Sequence, residues 1–332
     1  MTRPLTRAFA APLLGLAALL AHVPAAHAAP DKSYPNRPVT LVVGYAAGGA
    51  TDIVARLAAR ALTETLGQTF VVENRAGANS NIGAEAVYRA APDGYTLYVG
   101  SIANTVNQTL YPDLPYKFDH AFAPIGLLAT VPNILVVNPK VAANNVGEFI
   151  ALARKNPGKV TCASSGAGSS IHLSCEMFKL ATGTDILHVP YRGSGPAVTD
   201  LMGGQVDSMF DNMPSALPHV QGGKLRALGV TSPQRAPFAP DAPTLAEAGV
   251  KDFAVQSWFG LLAPKGTPQP VIDRLGQALN QILQSDAMKT AYKKGGFVMP
   301  AQPNTPATFQ KWIDAETAKW AGGVKGANIK VQ

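Results

Sequence analysis

Short apolar runs, each ending in a Gly- or Ser-rich turn and followed by a segment of helical periodicity, recur along this chain. That alternation leaves few folds open. "VTLVVG" (39–44) is expected as the first strand, and "TDIVARLAARALTETLG" (51–67) as the helix after it. Thr51 or Asp52 is the candidate N-cap, Gly67 the C-terminal stop, and Ile53, Leu57, Ala61 and Leu62 the apolar face. "TFVVENR" reads as a strand, "NIGAEAVYRAA" as a short helix stopped by "PDG", and "YTLYVGS" as a third strand. Two right-handed strand-helix-strand crossovers build a mostly parallel α/β sheet.

A second block repeats the pattern. "VGEFIALARKNPG", "VTCASSG", "SIHLSCEMFKLATG", "ILHVPYRG", "PAVTDLMGGQ", "VDSMFDN" and "LPHVQGGKLRALGVTS" alternate helix and strand. The extended runs near 125–137 and 253–263 separate this block from the two ends, the pattern of two strands crossing a hinge between discontinuous domains. The C-terminus returns to helices in "QPVIDRLGQALNQILQ" and "PATFQKWIDAETAKWAGGVK". A chain of this length exceeds what one core serves well, so two domains are expected.

The N-terminus is read as an export signal: Arg3 and Arg7, the apolar "AFAAPLLGLAALLA" and the A-x-A site Ala26-His27-Ala28. Its apolar run is shorter than the roughly 18 residues a membrane-spanning helix needs. The chain carries 28 basic and 21 acidic residues, and removing the two signal arginines leaves about +5, with no Lys/Arg block. Nucleic acid is therefore not an expected partner, since binding its backbone rests on clustered cations displacing counterions. Cys162 and Cys175 are the two cysteines, and an oxidising compartment allows either a disulfide or two buried thiols.

In such a sheet, ligands sit beyond the carboxyl ends of the strands, against the helix N-termini that follow. The loops there are "GYAAGGATD", "VGSIANT", "ASSGAGSSIH", "PYRGSGP" and "FDNMPS", rich in Gly, Ser, Thr and Asn and poor in acids, histidines and lysines. The first nearly spells a phosphate loop, Gly44-x4-Gly49-x-Thr51, but Ala50 stands where the lysine would reach a triphosphate. A small anion held on backbone amides is the expectation instead. Two facing helix ends, each carrying about half an elementary charge, would neutralise one carboxylate without an arginine clamp. Ser165, Ser169 and Ser170 add hydroxyls in the second block. Asp211 is placed either to accept a hydrogen bond from a ligand amine or hydroxyl or to cap a turn; Arg192 to meet an anion or lie in solvent; Tyr45 to wall a pocket or pack in the core. His172, in the first turn of its helix, is read as a surface or core residue. No G-x-S-x-G elbow, H-E-x-x-H or Cys/His metal spacing occurs, so neither catalysis, nor a metal, nor a cofactor is expected.

Several stretches carry a resemblance: "YPNRPVTLVVGYAAGGATDIVARLAA", "VVENRAGANSNIGAEAV", "APDGYTLYVGS", "FDNMPSALPHVQGGKLRALGVTS", "PTLAEAG" and "SWFGLLAPKGTP". In order and spacing the chain resembles the Bug family, the solute-binding receptors of tripartite tricarboxylate transporters. The resemblance implies a type II-like two-domain periplasmic binding protein with α/β architecture. Each domain is expected to be a mainly parallel sheet flanked by helices, with two hinge-crossing strands. Domain 1 is then expected at 29–129 and 258–332, domain 2 at 130–257, after a signal at 1–28. The implied ligand is a small organic acid, amino acid or nicotinate-like acid, held largely by loop amides and hydroxyls, and the implied partners are membrane transporter subunits. A monomer is expected. A sensor of the same fold, signalling to a membrane protein, is the alternative role.

Carried over residue by residue, the resemblance puts Tyr45, Ala47, Gly48, Gly49 and Asp52 in the first loop of the site, and Ser101 and Asn104 in the third-strand loop. Ser165, Gly166, Gly168, Ser169 and Ser170 match in the second domain, with Tyr191, Arg192, Gly193, Asp211 and Asn212 at the closing strand ends. Gly44-Tyr45 departs from a common Pro-Phe and Asn79-Ser80 from a frequent Gly-Gly. The first change gives the pocket's aromatic wall a polar tip; the second alters a secondary contact.

Overall fold

A computed structural model describes residues 34–251 and 253–326. The signal segment read at 1–28 lies outside the described residues. Strand β1 (Val39–Val43), helix α1 (Ala50–Leu66), β2 (Phe70–Asn74), α2 (Asn81–Tyr88) and β3 (Thr96–Ser101) follow in the expected order, and β1 pairs in parallel with both β2 and β3. Val39, Leu41, Val42 and Val43 are all buried, as a parallel strand covered on both faces requires.

Two details of α1 differ from the expectation. Its N-cap is Gly49, with no side-chain cap, so Thr51 and Asp52 lie inside the first turn. Its buried stripe is Val54, Ala55, Ala58, Ala59 and Leu62, while Ile53, Leu57 and Ala61 flank the contact half-buried. The small alanines let the helix sit close to the sheet, which places the bulkier side chains at its margins. Gly67 closes the helix at φ 73°, its amide donating to the Thr63 carbonyl.

Helices α3 (Ile102–Leu110) and α4 (Phe118–Ala121) come in addition to the expected elements. Next comes β4 (Phe122–Val137), one continuous 16-residue strand that spans the Pro-interrupted segment. Pro124 sits at a register shift, where a ladder amide is not needed.

The second lobe holds α5 (Val146–Lys155), β5 (Thr161–Ser164), α6 (Ser170–Thr182), β6 (Leu187–Pro190), α7 (Ser194–Gly203), β7 (Ser208–Asn212), α8 (Met213–Gln221) and β8 (Arg226–Val230). β5 pairs in parallel with β6 and β7. β9 (Gln256–Pro264) returns to the first lobe, followed by α9 (Gln269–Gln284), the unanticipated α10 (Asp286–Gly295) and α11 (Pro306–Gly326).

The strand order β2-β1-β3-β9-β4-β7-β5-β6, with β8 also on β4, shows how the lobes join. From Phe122 to Pro132 β4 pairs antiparallel with β9; from Asn133 to Val137 it pairs with β7 and β8. Asn133 is therefore the first residue past the crossing. One core packs α1, α9 and α10 on the first sheet through Val54, Leu62, Leu275, Leu279 and Tyr292. The other runs from Tyr98, Phe122, Trp258 and Phe309 into Phe149, Phe178 and Phe210 of the second lobe.

Cys162 on β5 and Cys175 on α6 form a disulfide, with Cα atoms 6.6 Å apart, so the alternative of two thiols does not hold. The bond ties together the two elements that flank the serine loop. Replacing both cysteines by serine is expected to lower unfolding free energy by about 3 kcal/mol, the value for closing so short a loop in the chain-entropy model. Chemical denaturation of the oxidised protein and the double variant checks it.

Candidate functional site

The loops after β1, β3, β5 and β7 converge with α7 on one small, tightly closed cavity between the lobes, with a volume of about 20 Å³. The first lobe supplies Tyr45, Gly49, Ala50 and Thr51 at the head of α1, then Ser101, Ile102 and Ala103 at the head of α3. The second supplies Ser165, Ser169 and Ser170 at the head of α6, Ser194 at the head of α7 and Asn212 at the end of β7. Ser257 and Phe259 of the crossing strand β9 close the floor. No Lys, Arg, Asp or Glu side chain lines it. First-turn amides have no acceptor inside their own helix, so this wall offers N–H groups and hydroxyls together with the positive ends of helix dipoles.

Of the residues singled out in the sequence, Tyr45, Gly49, Ser101, Ser165, Ser169, Ser170 and Asn212 line the cavity. The others stand behind it or beside it. Asp52 is buried and turned away from the opening: it accepts from the Gly48 amide at 3.1 Å, from Arg56 Nε at 3.0 Å and from Asn74 Nδ2 at 3.0 Å. The Gly48 amide, expected to face a carboxylate, is thus committed to Asp52. Burial raises the Asp52 pKa most, but the hydrogen bonds from Arg56, Gly48 and Asn74 together outweigh it and hold the carboxyl below its ordinary value. Asn74 Nδ2 also donates to the Tyr45 carbonyl at 2.9 Å, so one acid and one amide shape the whole glycine turn.

Asn104 is likewise fully engaged. Its Oδ1 accepts from the Ser101 amide at 2.9 Å, and its Nδ2 donates to Tyr98 Oη and Ser80 Oγ, a capping box that orients Ser101. In the serine loop the Gly168 amide donates to His172 Nδ1 at 3.0 Å, and the His172 amide to Ser169 Oγ at 3.2 Å. His172 acts there as an acceptor, hence as a neutral ring; burial, reinforced by Lys179, pushes its pKa down to about 4. Its ring stacks on His188, with centroids 3.9 Å apart.

Ala47, Gly48 and Gly193 form the contact between lobes rather than the cavity wall. The Ala46 amide donates to the Arg192 carbonyl at 2.9 Å. A Cβ on Gly193 would lie 2.8 Å from Ala46 N, and one on Gly195 2.2 Å from the Ala47 carbonyl oxygen. These approaches are possible only for glycine, and they describe a closed cleft. Gly166, Tyr191 and the exposed Arg192 side chain line a wider side cavity instead, with His188 and Lys179, and Tyr191 Oη donates to Asp200 at 2.7 Å.

The two departures noted in the sequence meet in space. Tyr45 Oη donates to Asn79 Oδ1 at 3.0 Å, and Asn79 Nδ2 to Asn107 Oδ1 at 2.9 Å. Residues Ala78, Asn79 and Ser80 all have positive φ, and Ser80 lies so close to Gly44 that a Cβ there would be 2.4 Å away. Gly166 and Gly168 press on Asn79 from the second lobe, so this loop carries part of the closure contact.

Asp211 is completely buried one layer behind the wall. It accepts from Ser194 Oγ and, at 2.5 Å, from Ser215 Oγ. Burial raises its pKa from 3.8 to about 6 despite these hydrogen bonds. The folded state then holds this proton more tightly than the unfolded chain. The associated stability is complete below about pH 4 and is lost as pH rises through about 6, on the order of 3 kcal/mol in all. Ligand-free Asp211→Asn is expected to lose that slope, which chemical denaturation between pH 4 and pH 8 measures.

Ser194, Ser257, Phe259 and Asn133 are contributors that the sequence did not announce. Ser194 lies in the loop "PYRGSGP", beside the expected contacts Arg192 and Gly193. Ser257 and Phe259 come from a strand read as a hinge. Asn133, at the β4 crossing, is fully buried: its Nδ2 donates to the Ser170 carbonyl at 3.1 Å and to Ser174 Oγ at 3.0 Å, and its Oδ1 accepts from Asn212 Nδ2 at 2.5 Å. A lone Asn in an apolar run gave no periodic signal of that role.

Two lobes joined by crossing strands, with facing helix N-termini around a cleft, define a two-domain α/β binding protein, a fold shared with solved periplasmic binding proteins. The model of the tripartite tricarboxylate transporter family receptors matches residues 54–329, and the chain belongs to that family. It is 40% identical to the protein BugT of Bordetella pertussis over 304 residues, 90% of this chain and 92% of that one. An R. palustris protein solved with adipate superposes with a TM-score of 0.86 at 37% identity, covering 90% of this chain and all of the other. MatC from Rhodopseudomonas palustris, solved with bound malate, gives 0.83 at 35% identity, covering 88% of this chain and all of the other. Among the described residues no helix is long and apolar enough to cross a membrane, and no His, Cys, Asp and Glu cluster suits a metal ion.

Proposed function

We propose that the protein captures a small carboxylate-bearing metabolite between its lobes in the periplasm and delivers it to a tripartite tricarboxylate-type membrane transporter. The observation that carries this is the convergence of the N-termini of α1, α3 and α6 with six serines on one cavity that has no charged lining residue. A monoanion fits there electrostatically, because several partial positive charges surround it at once and no fixed cation must be desolvated. Relatives solved with adipate and malate support the ligand class.

The division into domain 1 (29–129 and 258–332) and domain 2 (130–257) belongs to the same reading, as does export through a signal cleaved near Ala28. The receptor acts as a monomer. Titration calorimetry of periplasmically expressed protein against mono- and dicarboxylates, amino acids and nicotinate-like acids tests it. Saturable binding of at least one acid at micromolar concentration is expected; no heat from any acid at millimolar concentration would count against the proposal.

A further inference from the structure

We propose that the bound acid carries a hydrogen-bond donor besides its carboxylate, a hydroxy acid or amino acid, and that Ser194 Oγ receives that donor. This rests on the receptor reading and narrows its ligand class. Ser194 lines the cavity, and its single hydroxyl hydrogen is committed to Asp211 Oδ1 behind it. A hydroxyl has one hydrogen and two lone pairs, so what Ser194 turns toward the cavity is an acceptor.

The polarity is set by a buried charge. Asp211 is fully buried, and its partners are Ser194, Ser215 and the Asn212 amide, with no neighbouring cation contributing. Ser215 Oγ lies 3.3 Å from Ser194 Oγ, but its hydrogen is shared between Asp211 and the Asn212 carbonyl, so it leaves the Ser194 polarity unchanged. The rest of the cavity presents first-turn amides, together with serine hydroxyls that can turn a hydrogen toward a ligand. Its wall therefore has a donor side at α1, α3 and α6 and an acceptor point at Ser194. A second anionic or unsubstituted group placed at that point would meet a lone pair backed by a carboxylate; a ligand O–H or N–H would complete a hydrogen bond. Leaving a buried polar partner unmatched is the strong form of discrimination, larger than any apolar misfit.

The test uses matched pairs by calorimetry at pH 7.5: propionate against lactate and alanine, succinate against malate and aspartate, glutarate against 2-hydroxyglutarate and glutamate. The wild type is expected to prefer a donor-bearing member over its plain counterpart by at least about tenfold. Ser194→Ala is expected to bring that ratio to within about threefold of unity. Asp211→Asn, whose amide can donate to Ser194 and release its hydrogen toward the cavity, is expected to lower the ratio by tightening the plain acid. A wild-type ratio near one, or a preference that survives in Ser194→Ala, overturns the inference while leaving the receptor reading intact. Binding of none of these acids, nor of any other in the wider panel, overturns both.

Discussion

Gly195→Val is expected to weaken ligand binding by at least about 100-fold while leaving the ligand-free fold intact. The added Cβ would lie 2.2 Å from the Ala47 carbonyl oxygen, a backbone atom of the opposite lobe that cannot swing aside. Relief comes only from holding the lobes apart. If ligand binds the closed form, its apparent affinity falls by the fraction of molecules that can still close. Gly195 sits in the first turn of α7 with no left-handed φ, and the strain that a Cβ adds there against the following Pro196 is local to that turn. Calorimetry gives the affinity and circular dichroism the fold. Wild-type affinity in this variant would mean that the contact between residues 46–48 and 192–195 plays no part in the bound state.

The second large effect is expected at the lobe crossing. Asn133→Leu removes an amide that joins three elements: β4 itself, α6 through Ser170 and Ser174, and the end of β7 through Asn212. Leucine is similar in size but leaves one hydrogen of Asn212 Nδ2 without an acceptor and removes a donor from the Ser170 carbonyl and the Ser174 hydroxyl, which keep only their bond to each other, in a fully buried place. Unsatisfied buried groups cost about 1–3 kcal/mol each, so a loss of about 3 kcal/mol in stability is expected. Binding should also fall, because Ser170 and Asn212 both line the cavity. Denaturant unfolding and calorimetry on the same sample separate the two effects.

The residues differ in how far they announce themselves. Strands and crossover helices were legible because a parallel sheet covered on both faces demands apolar runs, and each run here is punctuated by glycine, serine or proline. The loops at the strand ends were legible for a related reason: small residues cluster where backbone must approach a ligand or another backbone. What spacing along the chain cannot show is which groups are already spent. Asp52 and Asn104 look like ligand contacts in sequence, yet each is consumed in shaping its own loop. Asn133 and Ser194 gain their roles from partners 79 and 17 residues away, brought close by sheet pairing. Helices α3 and α10 are amphipathic but short, at 9 and 10 residues, and each follows the preceding element with at most one residue between, so no turn signal separates them in the sequence.

In the proposed function a carboxylate sits between the lobes on helix N-termini. The most direct measurement is a crystal structure of the protein grown with the tightest-binding acid of the panel. The carboxylate oxygens are expected within hydrogen-bonding reach of first-turn amides of α1, α3 or α6 and of the Ser169 or Ser170 hydroxyl. Finding the acid instead in the side cavity, against His188 and the Arg192 guanidinium, would contradict it.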